Sequence, residues 1–286
     1  MTNPKRTRTV VQYLAAVAVG ALISSIVWGV TTEETVTAQS GVSATLPLNT
    51  GVDYLDGAGA PPIEADVMDA SGTIFFGPDL KATTTDPKKG RTLEVVVDAG
   101  CHYCSQFETA NADGIKQWVK DGNTLKLTMI PMLDREAVPA VIDFPIILSY
   151  LVKSDPDKVF DIYQDYYKNW ATDSGNMKPW TVADYNKLLK DHGVSDSNIQ
   201  KAILATGSPE WVTKTDGFLT ATTDRIGANF VGTPYVTLDG KKLPEDLYYM
   251  AEGSMASYLS TGKIEDQYSI TYLQEQAEKN TAQSGQ

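Results

Sequence analysis

Residues 92–104 read T-L-E-V-V-V-D-A-G-C-H-Y-C, and this stretch decides the fold. Thr92 to Val97 is a near-continuous apolar run rich in β-branched residues, the composition of a buried central strand. After a three-residue link come Cys101 and Cys104, and a helix is expected from Cys101 to about Lys120, with Phe107, Ala110, Gly114 and Trp118 along one side. A thiolate at a helix N-terminus faces unpaired N–H groups and the positive end of the dipole, so its pKa falls and its nucleophilic fraction rises. Three-residue spacing returns Cys104 to the same helix face, within reach of a disulfide. Cys101, in the first turn, is expected to be the exposed attacking thiol, and Cys104 the buried resolving one. His102 offers positive charge beside the thiolate, and Tyr103 a hydroxyl or an apolar wall.

These two are the chain's complete complement of cysteine. A disulfide scaffold carries more, at wider spacing, and a bridge across so short a loop removes little entropy from the unfolded chain. A structural zinc site needs four ligands; only His102 and His192 remain to supply them, and His102 lies inside the motif. Redox chemistry is therefore expected at the pair, with no metal and no cofactor.

Outward from the motif the pattern is mixed α/β. Thr73 to Phe76 is a short strand candidate, and Leu125, Leu127 and Met129 alternate with Lys126 and Thr128 at strand period. A long helical stretch follows over about 137–226, containing FPIILSYLV (144–152), KVFDIYQDYYKNW (158–170) and TVADYNKLLKDHG (181–193). The aromatic residues of 158–170 recur at helical spacing and are read as core. Thr181 suits an N-cap with Asp184 three residues on, Gly193 suits the C′ position, and His192 sits where a helix C-terminus favours its cation. Extended structure returns at Pro234 to Leu238, turns at Asp239-Gly240, and gives way to a helix expected from about Pro244 to Thr261. The order describes an α/β, thioredoxin-like fold with a helical insertion, spanning 67–267. Residues 268–286 are expected to be a polar, frayed tail.

The N-terminus adds a location. Lys5, Arg6 and Arg8 form a basic head over 1–9, and the uncharged stretch 10–30, VVQYLAAVAVGALISSIVWGV, precedes Glu33 and Glu34. As a helix it is roughly 31 Å long, enough for a bilayer core. The charge asymmetry directs the N-terminus inward and the remainder outward, as a single-pass signal-anchor in the cell membrane. A cleaved signal peptide ending at Val36-Thr37-Ala38 is the competing reading, though its apolar core is usually shorter. Residues 31–66, rich in Thr, Ser, Gly, Ala and Pro, read as a flexible tether. The formal net charge of -12 disfavours a nucleic-acid partner.

Three stretches, VVVDAGCHYCSQFE (95–108), the helical insertion, and DRIGANFVGTPYVTLDGK (224–241), resemble the DsbA-like branch of the thioredoxin superfamily, membrane-anchored bacterial type, over about residues 72–262. The resemblance implies that Cys101 forms the mixed disulfide with substrate and that Cys104 releases it. It implies that Thr233-Pro234 is a cis-proline loop facing the cysteines, with the Thr233 backbone offered to a substrate strand. Asp98 matches an acid found in the membrane-tethered members. The chain departs from the pattern in having histidine second and tyrosine third between the cysteines. The family's buried acid, six residues before the first cysteine, falls here on Val95, with Glu94 pointing to the opposite face. The implied activity is an extracytoplasmic oxidase that introduces disulfides into cysteine-containing exported proteins and is re-oxidised by a quinone-linked membrane partner. A reductase or isomerase, or a tethered binding module with little exchange, are the alternatives.

Overall fold

The apolar run at 92–97 forms strand β3 (Thr92–Val97) in the middle of a six-stranded sheet. The computed structural model describes residues 61–63, 71–133, 138–170 and 179–284. With β1 (Thr73–Phe76), β2 (Ala82–Thr83), β4 (Thr124–Met129), β5 (Tyr235–Leu238) and β6 (Lys241–Lys242), the strand order is β2-β1-β4-β3-β5-β6. β3 runs parallel to β4 and antiparallel to β5. Parallel neighbours need a long crossover, which helix α1 (His102–Lys120) supplies.

Strand alternation sorts the sheet's two faces. Leu93, Val95 and Val97 join Leu125, Leu127 and Met129 in one core layer with Cys104, Phe107, Ile115 and Val119 of α1. The opposite face carries Val96 and Ile130, packed with Trp211 and Phe218. Glu94 also lies on that second face, where Lys126 at 3.1 Å and Arg225 at 2.6 Å neutralise it through ionic contacts.

Among the described residues the insertion forms α2 (Ala140–Ser154), α3 (Val159–Trp170), α4 (Val182–Asp191), α5 (Asp196–Thr206) and α6 (Pro209–Ile226). Helix α2 is apolar nearly all round, as befits a helix buried on every side. Phe144, Ile147 and Leu151 enter the first core layer, and Val141, Ile142 and Ile146 the second. Helix α3 buries Phe160, Tyr163, Tyr166 and Tyr167, and the Phe144 and Tyr166 rings stack at 3.6 Å. The capping box at Thr181 and Asp184 opens α4, and Gly193 follows His192 with positive φ.

Three segments differ from the expectations above. The helix expected from Pro244 is confined to α7 (Ser254–Thr261), because Gly253 before it adopts a left-handed conformation that breaks the run. Where a frayed tail was expected, Ile270–Ser284 forms α8. Its start is held by Asp246, whose carboxylate accepts from Ser269 Oγ at 2.7 Å and the Thr271 amide at 2.8 Å. Pro61 and Ile63, assigned to the tether, contact α6: Trp211 Nε1 donates to the Pro61 carbonyl at 2.9 Å and Ile63 packs beside that tryptophan's cluster. The membrane helix expected over 10–30 lies outside the described residues, among which no helix is long and apolar enough to cross a membrane.

Candidate active site

Cys101 is the N-cap of α1, in extended conformation, so its side chain projects at the mouth of a 19-residue helix. It is half-buried, whereas Cys104 is wholly buried one turn in. Neither is bridged, so the structure is the dithiol form. The Cys101 thiol is lowered to about 7. The largest cause is the hydrogen bond from the Cys104 thiol; the Thr233 side chain and the Cys104 amide add to it, against burial and the charge of Asp98. Burial pushes Cys104 well above the ordinary thiol range, and its neighbour's negative charge adds to the rise. One thiol is thus half ionised at neutral pH and the other protonated, the division of labour that a nucleophile and a resolver require.

The strand register carries the second half of the site. Val96 pairs with Tyr235 across β3 and β5, so the residues just before Tyr235 fall opposite the loop that follows β3. The Thr233–Pro234 peptide is cis, and Cys101 Sγ donates to the Thr233 carbonyl at 3.4 Å. Thr233 therefore meets Cys101 with both its hydroxyl and its backbone.

Asp98 is fully buried at the end of β3 and organises the loop. Its Oδ1 accepts from the Gly100 amide at 2.6 Å, and its Oδ2 from the amides of Met132 and Leu133 at 2.6 and 3.0 Å. Desolvation still lifts its carboxyl to about 6 despite those three donors. Gly100 has no room for a side chain, since a Cβ there would meet Val138, Val141 and Leu133 within about 3 Å. From α3, Tyr166 Oη donates to the Ala99 carbonyl at 2.8 Å and Tyr167 Oη to the Asp98 carbonyl at 3.0 Å.

Between the cysteines, His102 is half-buried with Nε2 2.9 Å from Gln106 Nε2, and Tyr103 is exposed. His102 Nδ1 has no partner among the described residues. His192 is not at this site; it caps α4 and contacts Asp165 Oδ2 at 2.9 Å. No group of three or more potential metal ligands occurs among the described residues.

The sequence reading passed over one acid. Glu108, on α1 four residues after Cys104, is buried and accepts a 2.5 Å hydrogen bond from Tyr163 Oη. Desolvation raises its carboxyl to about 7, moderated by that bond. The available signal was its i+4 spacing from Cys104, which puts the two on one inward stripe of α1.

No family model and no curated protein matches the sequence. Solved structures do match. The reduced form of a disulfide bond oxidoreductase (DsbG) from Mycobacterium tuberculosis superposes with a TM-score of 0.52 and 14% identity, over 70% of this chain and 92% of that one. The MdbA protein, a thiol-disulfide oxidoreductase from Corynebacterium matruchotii, gives 0.50 and 18%, over 69% and 90%. Oxidised BdbD from Bacillus subtilis gives 0.50 and 12%, over 68% and 94%. At such identities the likeness shows the fold, which is the DsbA-like form of the thioredoxin fold with its helical insertion.

Proposed function

We propose that this chain is a thiol–disulfide oxidoreductase acting outside the cytoplasm, with Cys101 as the attacking and Cys104 as the resolving thiol. The observation that carries the reading is the Cys101 thiol at the α1 N-terminus, lowered to about 7, with Cys104 buried behind it and Thr233 against it. In the oxidising direction, a substrate thiolate attacks Cys101 Sγ of the bridged pair. The Cys101–Cys104 bond breaks and Cys104 leaves with the electron pair, taking up a proton. A second substrate thiolate then attacks the substrate sulfur of the mixed disulfide and expels Cys101 as thiolate. The substrate gains a disulfide and the enzyme is left as dithiol.

The oxidising direction rests on location. The apolar stretch 10–30 behind a basic head supports a single-pass anchor that places the domain among newly exported proteins, where disulfides persist. The thiol value alone contributes little to direction. A thiol at about 7 in place of an ordinary one favours the reduced form at pH 7 by about 0.4 kcal/mol, or about 9 mV. A quinone-linked membrane partner would return the pair to the disulfide.

The test is the equilibrium of Cys101 and Cys104 with glutathione buffers in the domain from residue 61 onward. A potential of about -120 to -180 mV supports the oxidase, and about -230 mV or below supports a reductase. Absence of exchange, with Cys101→Ser behaving as the parent protein does, overturns the enzyme reading and leaves a binding module.

A further inference from the structure

The core beneath the cysteines contains a carboxyl–phenol pair with no evident purpose in packing. Glu108 and Tyr163 are both buried, from different helices, and joined by a 2.5 Å O–H···O bond. Burying a carboxyl is costly, and an apolar residue would fill the same volume more stably. Glu108 lies one helical turn below Cys104 on the same stripe of α1, where i and i+4 side chains are neighbours. Tyr163 is close enough to Cys104 to feel the charge of its thiolate, as are Tyr167 and Tyr249.

We propose that Glu108, held by Tyr163, is the proton acceptor and donor for Cys104. This rests on the exchange reading above and assigns its proton step. When the Cys101–Cys104 bridge is opened by a substrate thiolate, Cys104 departs with the electron pair and the Glu108 carboxylic acid supplies its proton, leaving carboxylate. In reverse, Glu108 carboxylate takes the proton from the Cys104 thiol. The thiolate then attacks Cys101 Sγ of the mixed disulfide, and the substrate sulfur leaves with the electron pair.

Its environment suits the assignment. Desolvation holds the Glu108 carboxyl near 7, so it both gives and accepts a proton at neutral pH. The groups around the pair are Tyr163 and Tyr167 from α3, Tyr249 from the segment before α7, Cys101, and Asp98 at the end of β3. Lys116–Asp161 and Lys168–Asp113 bridge α1 and α3 nearer the surface. Asp98 is the rival acid, but its two oxygens already accept three backbone N–H groups. It also bears on Cys101 through its charge.

The experiment follows formation and decay of the Cys101–glutathione mixed disulfide by acid-quenched rapid mixing of the reduced protein with oxidised glutathione, across pH. Glu108→Gln should leave formation unchanged and slow decay by about 10- to 100-fold at pH 7. The inflection of the decay rate near pH 7 should disappear and leave only the higher one of the Cys104 thiol. Glu108→Asp should restore part of the rate, and Tyr163→Phe should move the inflection upward, because the hydrogen bond it removes favours the carboxylate. Decay in Glu108→Gln that matches the parent rate and profile overturns the proposal. Failure of the parent protein to form any mixed disulfide overturns the exchange reading instead. If Glu108→Gln does not fold, difference infrared spectra of oxidised and reduced protein decide. A carboxylic-acid band that changes with redox state and shifts in Tyr163→Phe supports the assignment, and a redox-silent one refutes it.

Discussion

The hydroxyl of Tyr167 donates to the backbone carbonyl of Asp98 at 3.0 Å, a bond between residues 69 positions apart that ties the helical insertion to the loop presenting the cysteines. Its neighbour Tyr166 does the same for Ala99, and the Tyr167 carbonyl in turn accepts from Ser105 Oγ at 2.9 Å. The insertion is therefore a buttress for the redox loop, acting through two backbone carbonyls before Cys101 and the Ser105 hydroxyl after it.

Removing that buttress has a measurable cost. Tyr166→Phe and Tyr167→Phe keep the rings, including the stack on Phe144, and delete only a donor to a buried carbonyl. Each is expected to lower stability by about 1 kcal/mol in urea denaturation. Unchanged midpoints in both variants would show that the two bonds hold nothing.

Thr233 is expected to tune Cys101. Its side chain favours the thiolate, so Thr233→Ala should raise the Cys101 inflection above about 7 by roughly half to one unit, read from ultraviolet thiolate absorbance against pH. The backbone bond to the carbonyl survives the substitution, which keeps the loop in place.

Stability should rise on mild acidification. Asp98 at about 6, and Glu108 and Asp143 at about 7, all titrate above their ordinary values because of burial. The folded protein thus retains protons that the unfolded chain has released, and stability falls as pH climbs from about 4 to about 7. Asp155 and Asp239 are shifted the other way by their partners, and their contribution is lost below about pH 4. The thermal midpoint of the reduced protein should therefore peak near about pH 4, and Glu108→Gln should flatten the slope above it. A midpoint that climbs steadily from pH 5 to 8 would contradict this assignment of buried carboxyls.

Gly100 is expected to tolerate no side chain. A Cβ would sit 2.9 Å from methyl groups of both Val138 and Val141, and such overpacking costs about 1–3 kcal/mol. Gly100→Ala should lower the thermal midpoint and slow reaction with glutathione, because the displaced loop carries Cys101. A variant with parent-like midpoint and rate would mean that the α2 start yields freely.

The core elements were legible because their signals are local. The apolar run 92–97, the alternation at 125–129 and the Asp239-Gly240 turn each declare an element within a few residues. Cys101 and Thr233 were legible as a pair only through family resemblance, since nothing in either segment encodes the β3–β5 register. Glu108 was passed over because its meaning depends on Tyr163 from another helix; alone, an acid on a helix reads as solvent-facing. Helix α8 escaped for a similar reason. Its polar composition says little, and its capping residue Ser269 is itself held by Asp246, far upstream in sequence. Tyr166 and Tyr167 were correctly expected in the core, but the destination of their hydroxyls required the fold.

The 132 residues separating Cys101 from Thr233 also set an order of events during synthesis. A chain that has emerged only as far as Ile226 already displays its Cys-x-x-Cys, yet β5 does not exist to bring Thr233 alongside. One of the donors that stabilises the thiolate is missing, and so is the backbone carbonyl that the Cys101 thiol meets. Reactivity is thus withheld from the nascent protein and conferred by a strand near its C-terminal end, so that the Cys101–Cys104 site is completed only after most of the domain has been made.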